Sequence, residues 1–312
     1  MVKLITGVGG FIGSSLAQRL LQNGEDVVGV DCFIDYYPRE IKEKNLRPLR
    51  DYSTFAFIEK NILELDFPKI LDGIDGIYHQ AAQAGVRASW GEDFGIYTKN
   101  NILATQKLLE AVKESRVRVV YASSSSVYGE TKKIPMQEDD LPNPVSPYGV
   151  SKLAAEHLCR LYWKNFRVPT VSLRYFTVYG PRQRPDMAFH RFLKAIMKGE
   201  EITLYGDGEQ TRDFTFIKDA VDANLLAMEK GQSGGVYNIG GGSQVTINHC
   251  IESMEIIVGK KANVKRLERQ KGDVTHTYAD TSRAQKKLGF QPSTPLEEGL
   301  RLEAKWIQDN IL

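Results

Sequence analysis

The chain has 312 residues, of which 42% are hydrophobic, 10% aromatic and 26% charged. That is ordinary globular usage, and it excludes disordered, collagen-like and membrane-spanning classes. Forty-one Lys and Arg stand against 39 Asp and Glu, so the formal charge is only +2 and there is no basic footprint for nucleic acid or an anionic membrane.

Short apolar runs alternate with helical patterns from the start of the chain. Val2–Thr6, Asp26–Val30, Phe55–Ile58, Gly76–His79, Val117–Ala122 and Pro169–Arg174 read as strands. Their near-continuous apolar character suits a parallel sheet covered on both faces. Between them, Phe11–Gln22, Asn101–Lys113 and Tyr148–Phe166 carry apolar residues at helical spacing. This alternation predicts a doubly wound α/β fold. After about Arg174 the pattern loosens, broken by Pro181, Pro185, Gly199, Gly206 and Gly208. The stretch 260–275 is polar and reads as irregular, and a last helix is predicted near Leu296–Ile311. Residues 1–175 are expected to form a nucleotide-binding domain, to which the chain returns around 213–246. Residues 176–312 would then form most of a smaller substrate lobe.

Cys32, Cys159 and Cys250 are odd in number and far apart, so they fit reduced thiols better than a disulfide framework. The five histidines lack metal-ligand spacing, and no metal is expected. Glycines interrupt the N-terminus where a signal peptide would stay apolar, and no run approaches ~18 apolar residues. A cytoplasmic location is the expectation.

Gly7, Gly10 and Gly13 recur every third residue after the first strand and open the first helix. Glycine there permits a tight turn, close approach of a pyrophosphate and close helix packing, with free N–H groups at the helix N-terminus. Phe11 and Ile12 complete the loop. Asp31 ends the second strand, where a carboxylate can accept both ribose hydroxyls of NAD and would repel a 2′-phosphate. Tyr148 and Lys152 are four apart and share a helix face, so the ammonium can favour the phenolate and make it a usable base. A serine run, Ser123–Ser126, ends a preceding strand.

With these pieces in order the chain resembles the extended short-chain dehydrogenase/reductases, specifically the NAD-dependent nucleotide-sugar epimerases. TGVGGFIG at the N-terminus, YHQAA at 78–82, SSSSVYG at 123–129 and SPYGVSK at 146–152 carry the resemblance. LRYFTVYGPRQRPDM at 173–187, GDGEQTRDF at 206–214 and ADTSRAQKKLGFQP at 279–292 extend it over nearly the whole chain. The resemblance implies Tyr148 as base, Lys152 as its activator and nicotinamide-ribose anchor, and Ser124 as partner of the sugar O4. It implies Ala81, Ala82, Gln83, Asn100, Ala122 and Tyr175 along the cofactor, with Asn61 and Ile62 near the adenine.

Thr177 stands where most UDP-hexose 4-epimerases have asparagine. The stretch Thr177–Met187 and the triplet Gly85-Val86-Arg87 are similar to those of UDP-glucuronate 4-epimerases. Arg184 and Arg87 could grip a C6 carboxylate, with hydroxyls from Ser125, Ser126 and Thr177. Arg212 is expected at the diphosphate and Asp273 near the uridine ribose. The readings kept beside this one are another UDP-hexose 4-epimerase, a UDP-glucuronate decarboxylase, a dehydratase or reductase, and a non-catalytic NAD-binding regulator. Dehydration is disfavoured because the serine run offers no acid–base pair. The resemblance also implies a homodimer that pairs the helices near 100–113 and 148–166.

Overall fold

The computed structural model describes residues 1–131, 133–268 and 272–312. Strands β1 (Val2–Thr6), β2 (Asp26–Asp31), β3 (Phe55–Glu59), β4 (Ile74–His79), β5 (Arg118–Ser124) and β6 (Thr170–Tyr175) occupy the six predicted runs. Later come β7 (Thr177–Tyr179), β8 (Glu201–Tyr205), β9 (Thr211–Phe216), β10 (Gly235–Ile239), β11 (Gln244–Thr246) and β12 (Asn263–Leu267). The helices are α1 (Phe11–Gln22), α2 (Arg39–Leu46), α3 (Phe67–Ile70), α4 (Phe94–Tyr97), α5 (Ala104–Ala111) and α6 (Pro147–Phe166). They continue with α7 (Ala188–Lys198), α8 (Ile217–Lys230), α9 (Ile247–Val258), α10 (Ser282–Leu288) and α11 (Leu296–Asn310).

The main sheet runs β3-β2-β1-β4-β5-β6-β10 and is parallel throughout. It is a Rossmann-type sheet. Every residue of β6 is buried, as a strand covered on both faces requires. Strand order reverses between β1 and β4, which opens a crevice at their C-terminal ends. β10 returns late in the chain to pair with β6, and α8 packs on α1. Outside this sheet, β7, β9 and β11 form a small three-stranded sheet, and β8 pairs with β12. One cluster of buried side chains runs from Ile5 and Leu16 through Val171 and Ala223 into Phe189, Ile251 and Leu300. The residues after Arg174 therefore share one core with those before it.

Two expectations need correction. Asn263–Leu267, inside the stretch read as irregular, is a strand in parallel register with Glu201–Tyr205. Its polar residues suit an exposed two-stranded pairing, so the partner, not apolar patterning, specifies it. The remainder of that stretch includes 269–271, which lie outside the described residues. The helix predicted over Asn101–Lys113 begins instead as a π-type turn over Thr98–Leu103, preceded by α4 and followed by α5. The wider turn lets Asn101 clamp the β4 exit loop. Its Oδ1 accepts from the Gln83 N–H at 2.7 Å, and its Nδ2 donates to the Gln83 carbonyl and the Ser151 hydroxyl.

Candidate active site

The crevice beyond β1 and β4 contains a cavity whose floor is the glycine-rich loop: Gly7, Gly10, Phe11, Ile12 and Gly13 all line it. Gly7 has φ +74, and a Cβ there would sit 2.7 Å from the Ala81 nitrogen. A Cβ at Gly13 would run into the Gly7 carbonyl. A Cβ at Gly10 would meet only that carbonyl, at 3.2 Å. Gly10 caps the start of helix α1 and brings no side-chain hydrogen bond, so the first N–H groups of the helix remain available. A bare helix start behind side-chain-free backbone fits the pyrophosphate of a dinucleotide. Among the described residues no group of three or more His, Cys, Asp or Glu is placed to hold a metal.

Asp31, Asn61 and Ile62 line one end of the cavity. The Asp31 carboxylate accepts from the Gly9 and Phe33 N–H groups, both at 2.9 Å, and so ties the glycine loop to the β2 exit. Asn61 Oδ1 accepts from the Leu63 N–H at 2.9 Å and caps the short turn Ile62–Glu64. Its amide is thus a turn cap first, with one lone pair left for a ligand amino group. Ala81, Ala82, Gln83 and Asn100 form the next wall, and Ala122 and Tyr175 the deeper one. The Tyr175 hydroxyl donates to Asn224 Oδ1 at 2.9 Å and accepts from Gln80 Nε2.

Tyr148 and Lys152 also line the cavity. Ser146 caps α6, its Oγ accepting from the Gly149 N–H at 3.1 Å, and Pro147 occupies the first turn. Tyr148 therefore sits at the helix start, with Lys152 one turn deeper. Burial pushes the Tyr148 phenol above its ordinary value, while a hydrogen bond from Ser124 and the charge of Arg184 pull it down. Ser124 is the last residue of β5, and its Oγ also accepts from the Ser126 N–H at 3.1 Å. The charge of Arg184 thus bears on the phenol from another segment, in addition to the i, i+4 placement of Lys152 on the same helix. The Lys152 ammonium stands 4.6 Å from the centre of the Tyr121 ring, and burial lowers it to about 7.

The residues expected around the sugar are distributed less evenly. Arg184 lines the cavity, and its guanidinium pairs with Asp186. Ser125 and Ser126 form a short turn after β5, and Thr177 opens β7; none lines this cavity. Arg87 and Asp273, assigned to the sugar carboxylate and the uridine ribose, instead meet each other. Arg87 Nη2 is 2.6 Å from Asp273 Oδ2, and its guanidinium carbon lies 4.4 Å from the centre of the Tyr205 ring. Opposite charges from distant segments close on each other there, and neither residue lines the cavity. Arg212 donates to the carbonyls of Thr211 and Thr275, at 2.8 and 3.1 Å.

His79 is held between Thr6 Oγ1 at 2.7 Å and Thr105 Oγ1 at 3.0 Å, and burial lowers it to about 3. It is a neutral packed residue, not an acid or base. Sequence reasoning missed Cys32, Tyr36, Tyr37, Lys42 and Gln80, which also line the cavity. The available signal was position: the segment leaving β2 after Asp31 must cross the C-terminal edge of the sheet. It also missed the buried Glu156–Arg174 pair at 2.6 Å, to which Ser123 donates at 2.6 Å.

Known proteins resemble this chain along its length. The family described as "NAD dependent epimerase/dehydratase family" matches residues 3–240. A UDP-glucuronate 4-epimerase of Thermodesulfobacterium geofontis is 39% identical over 314 residues, covering 99% of this chain and 96% of that protein. The crystal structure of UDP-glucuronic acid 4-epimerase from Bacillus cereus, in complex with UDP-glucuronic acid and NAD, superposes with TM-score 0.96. It is 48% identical, with 99% of each chain covered. The UDP-glucose 4-epimerase of Thermotoga maritima, bound to UDP-glucose, is 34% identical with TM-score 0.91 and covers all of both chains.

Proposed function

The chain belongs to the NAD dependent epimerase/dehydratase family, and from that premise we propose that it interconverts UDP-glucuronate and UDP-galacturonate by epimerisation at C4. The observation that carries the reading is Arg184, a guanidinium on the cavity wall whose charge acts on Tyr148. A cation beside the base suits a sugar that carries a carboxylate one carbon beyond the reacting centre.

The glycine loop, Asp31 and Lys152 would hold NAD, which when bound would supply the hydride acceptor and donor for C4. Tyr148 takes the proton from the C4 hydroxyl and later returns it. Ser124, hydrogen-bonded to the phenol, holds the same oxygen. Lys152, near its midpoint at neutral pH, holds the nicotinamide ribose. Arg184 grips the carboxylate while Ser125, Ser126 and Thr177 offer it hydroxyls. Arg212 and Asp273 serve the UDP end, and Asp273 must release Arg87 if Arg87 is to reach an anion. A 4-keto uronate is a β-keto acid, so these contacts must also hold the carboxylate where CO2 leaves poorly.

The protein is expected to work as a cytoplasmic homodimer. Ile102, Leu103 and Leu158 line a groove between the helices, and Leu103 is half exposed, which supports pairing there. No helix among the described residues is long and apolar enough to cross a membrane. The deciding measurement is an NMR product assay with UDP-glucuronate, reading C4 configuration and CO2 together. UDP-galacturonate as main product is expected. A pentose nucleotide would establish a decarboxylase instead, and turnover of UDP-glucose alone would establish a neutral-sugar epimerase.

A further inference from the structure

Arg184 is held by two groups that no sequence motif singles out. Asp186 Oδ1 accepts from its Nε and Asp186 Oδ2 from its Nη2, each at 3.0 Å. The same Oδ2 accepts from the Tyr36 hydroxyl at 3.2 Å, and the Tyr36 ring centre is 5.8 Å from the guanidinium carbon. Tyr36 comes from the segment after β2, whereas Arg184 and Asp186 come from the segment between β7 and α7. The trio therefore spans the two lobes at the cavity wall. Gly85, with φ +103, makes room for it, because a Cβ there would run into the Tyr36 hydroxyl.

This pairing uses the guanidinium side-on. A guanidinium has five N–H donors, so Nη1 and the second Nη2 hydrogen form a free end-on fork that can take another carboxylate bidentately. No other hydrogen bond of this guanidinium occurs among the described residues. Its plane is set on one edge by a carboxylate that is itself held by Tyr36.

We propose that Asp186 and Tyr36 are positioning residues that fix the end-on edge of Arg184 for the sugar carboxylate. They thereby decide whether the 4-keto uronate is returned as the epimer or loses CO2. This rests on the function proposed above. In the loss, the C5–C6 bond breaks, its electron pair enters the C4 carbonyl as an enolate, CO2 departs, and C5 takes up a proton. The step is fast only when C5–C6 aligns with the carbonyl π-system. A guanidinium locked in one plane holds the carboxylate out of that alignment, and a rotating one does not.

The test compares Asp186→Asn, Asp186→Glu and Tyr36→Phe holoenzymes with wild type on UDP-glucuronate. Asp186→Asn keeps the side-chain shape but cannot accept on both atoms. It should raise the fraction of product formed with loss of CO2 about tenfold and lower kcat for epimerisation similarly, with KM changed less than about threefold. Tyr36→Phe should move product partition the same way by a smaller factor, and Asp186→Glu should restore part of the epimer. Unchanged partition in both Asp186→Asn and Tyr36→Phe, with wild type active, overturns the positioning role alone. Wild type that leaves UDP-glucuronate untouched refutes the functional reading and the partition role together.

Discussion

Lys152 and Arg184 are two cations on one cavity, and burial acts on them differently. Arg184 has Asp186 at 3.0 Å; burial alone would lower the guanidinium, and the Asp186 hydrogen bonds more than reverse this. Lys152 makes no ion pair among the described residues, and burial takes it to about 7. A depressed ammonium means that the fold disfavours the charged form. Below pH 7 the lysine is protonated in folded and unfolded chains alike, and the full cost falls on the folded state. Between 7 and its ordinary value of 10.5 that cost shrinks, and above 10.5 it is gone. Lys152→Met should therefore raise the melting temperature of nucleotide-free protein at pH 7, with the gain fading as pH approaches 10. Activity should fall at least about a hundredfold. Differential scanning calorimetry across that range checks the sign; a gain that grows with pH would contradict it.

At the scale of elements, the turn from β1 into α1 depends on absent side chains. Gly13 lies against the Gly7 carbonyl, so the helix can approach the strand only while position 13 has no Cβ. Gly13→Ala should cost about 1–3 kcal/mol of stability by forcing helix and strand apart. It should also weaken NAD binding at least about tenfold, and denaturant titration with cofactor calorimetry reads both. This turn was legible because three glycines at fixed spacing follow an apolar run. The π-type turn at Thr98–Leu103 was not, since its cause is Asn101 reaching Gln83 and Ser151, both distant in sequence or across a loop. Strand β12 was equally silent, because its partner β8 lies some sixty positions earlier and its own residues are mostly polar.

One continuous core runs through the whole molecule, so the cavity is set by packing as well as by side chains. The tie of Arg87 to Asp273 is charge-based and partly exposed, so it can open for a ligand without disturbing the core. The groove beside Leu103 belongs to this scale too. If it is the homodimer face, Leu103→Asp should shift gel filtration from dimer to monomer mass, because a charge would be buried at the contact centre. An unchanged dimer would place the interface elsewhere.

Sequence alone determined six of the seven strands of the main sheet, the glycine turn, and the Tyr148–Lys152 helix with Ser124 before it. Each rests on a short-range pattern that local backbone geometry enforces: a short continuous apolar run in a strand covered on both faces, four residues on a helix face, three between glycines. The tertiary structure decided which charges meet. Arg184 pairs with Asp186, which also accepts from Tyr36, Arg87 closes on Asp273, and Lys152 makes no ion pair among the described residues. Those outcomes depend on where distant segments cross and how much water reaches them. Neither is written in spacing along the chain, because Coulomb energies follow distance and local dielectric, not sequence separation.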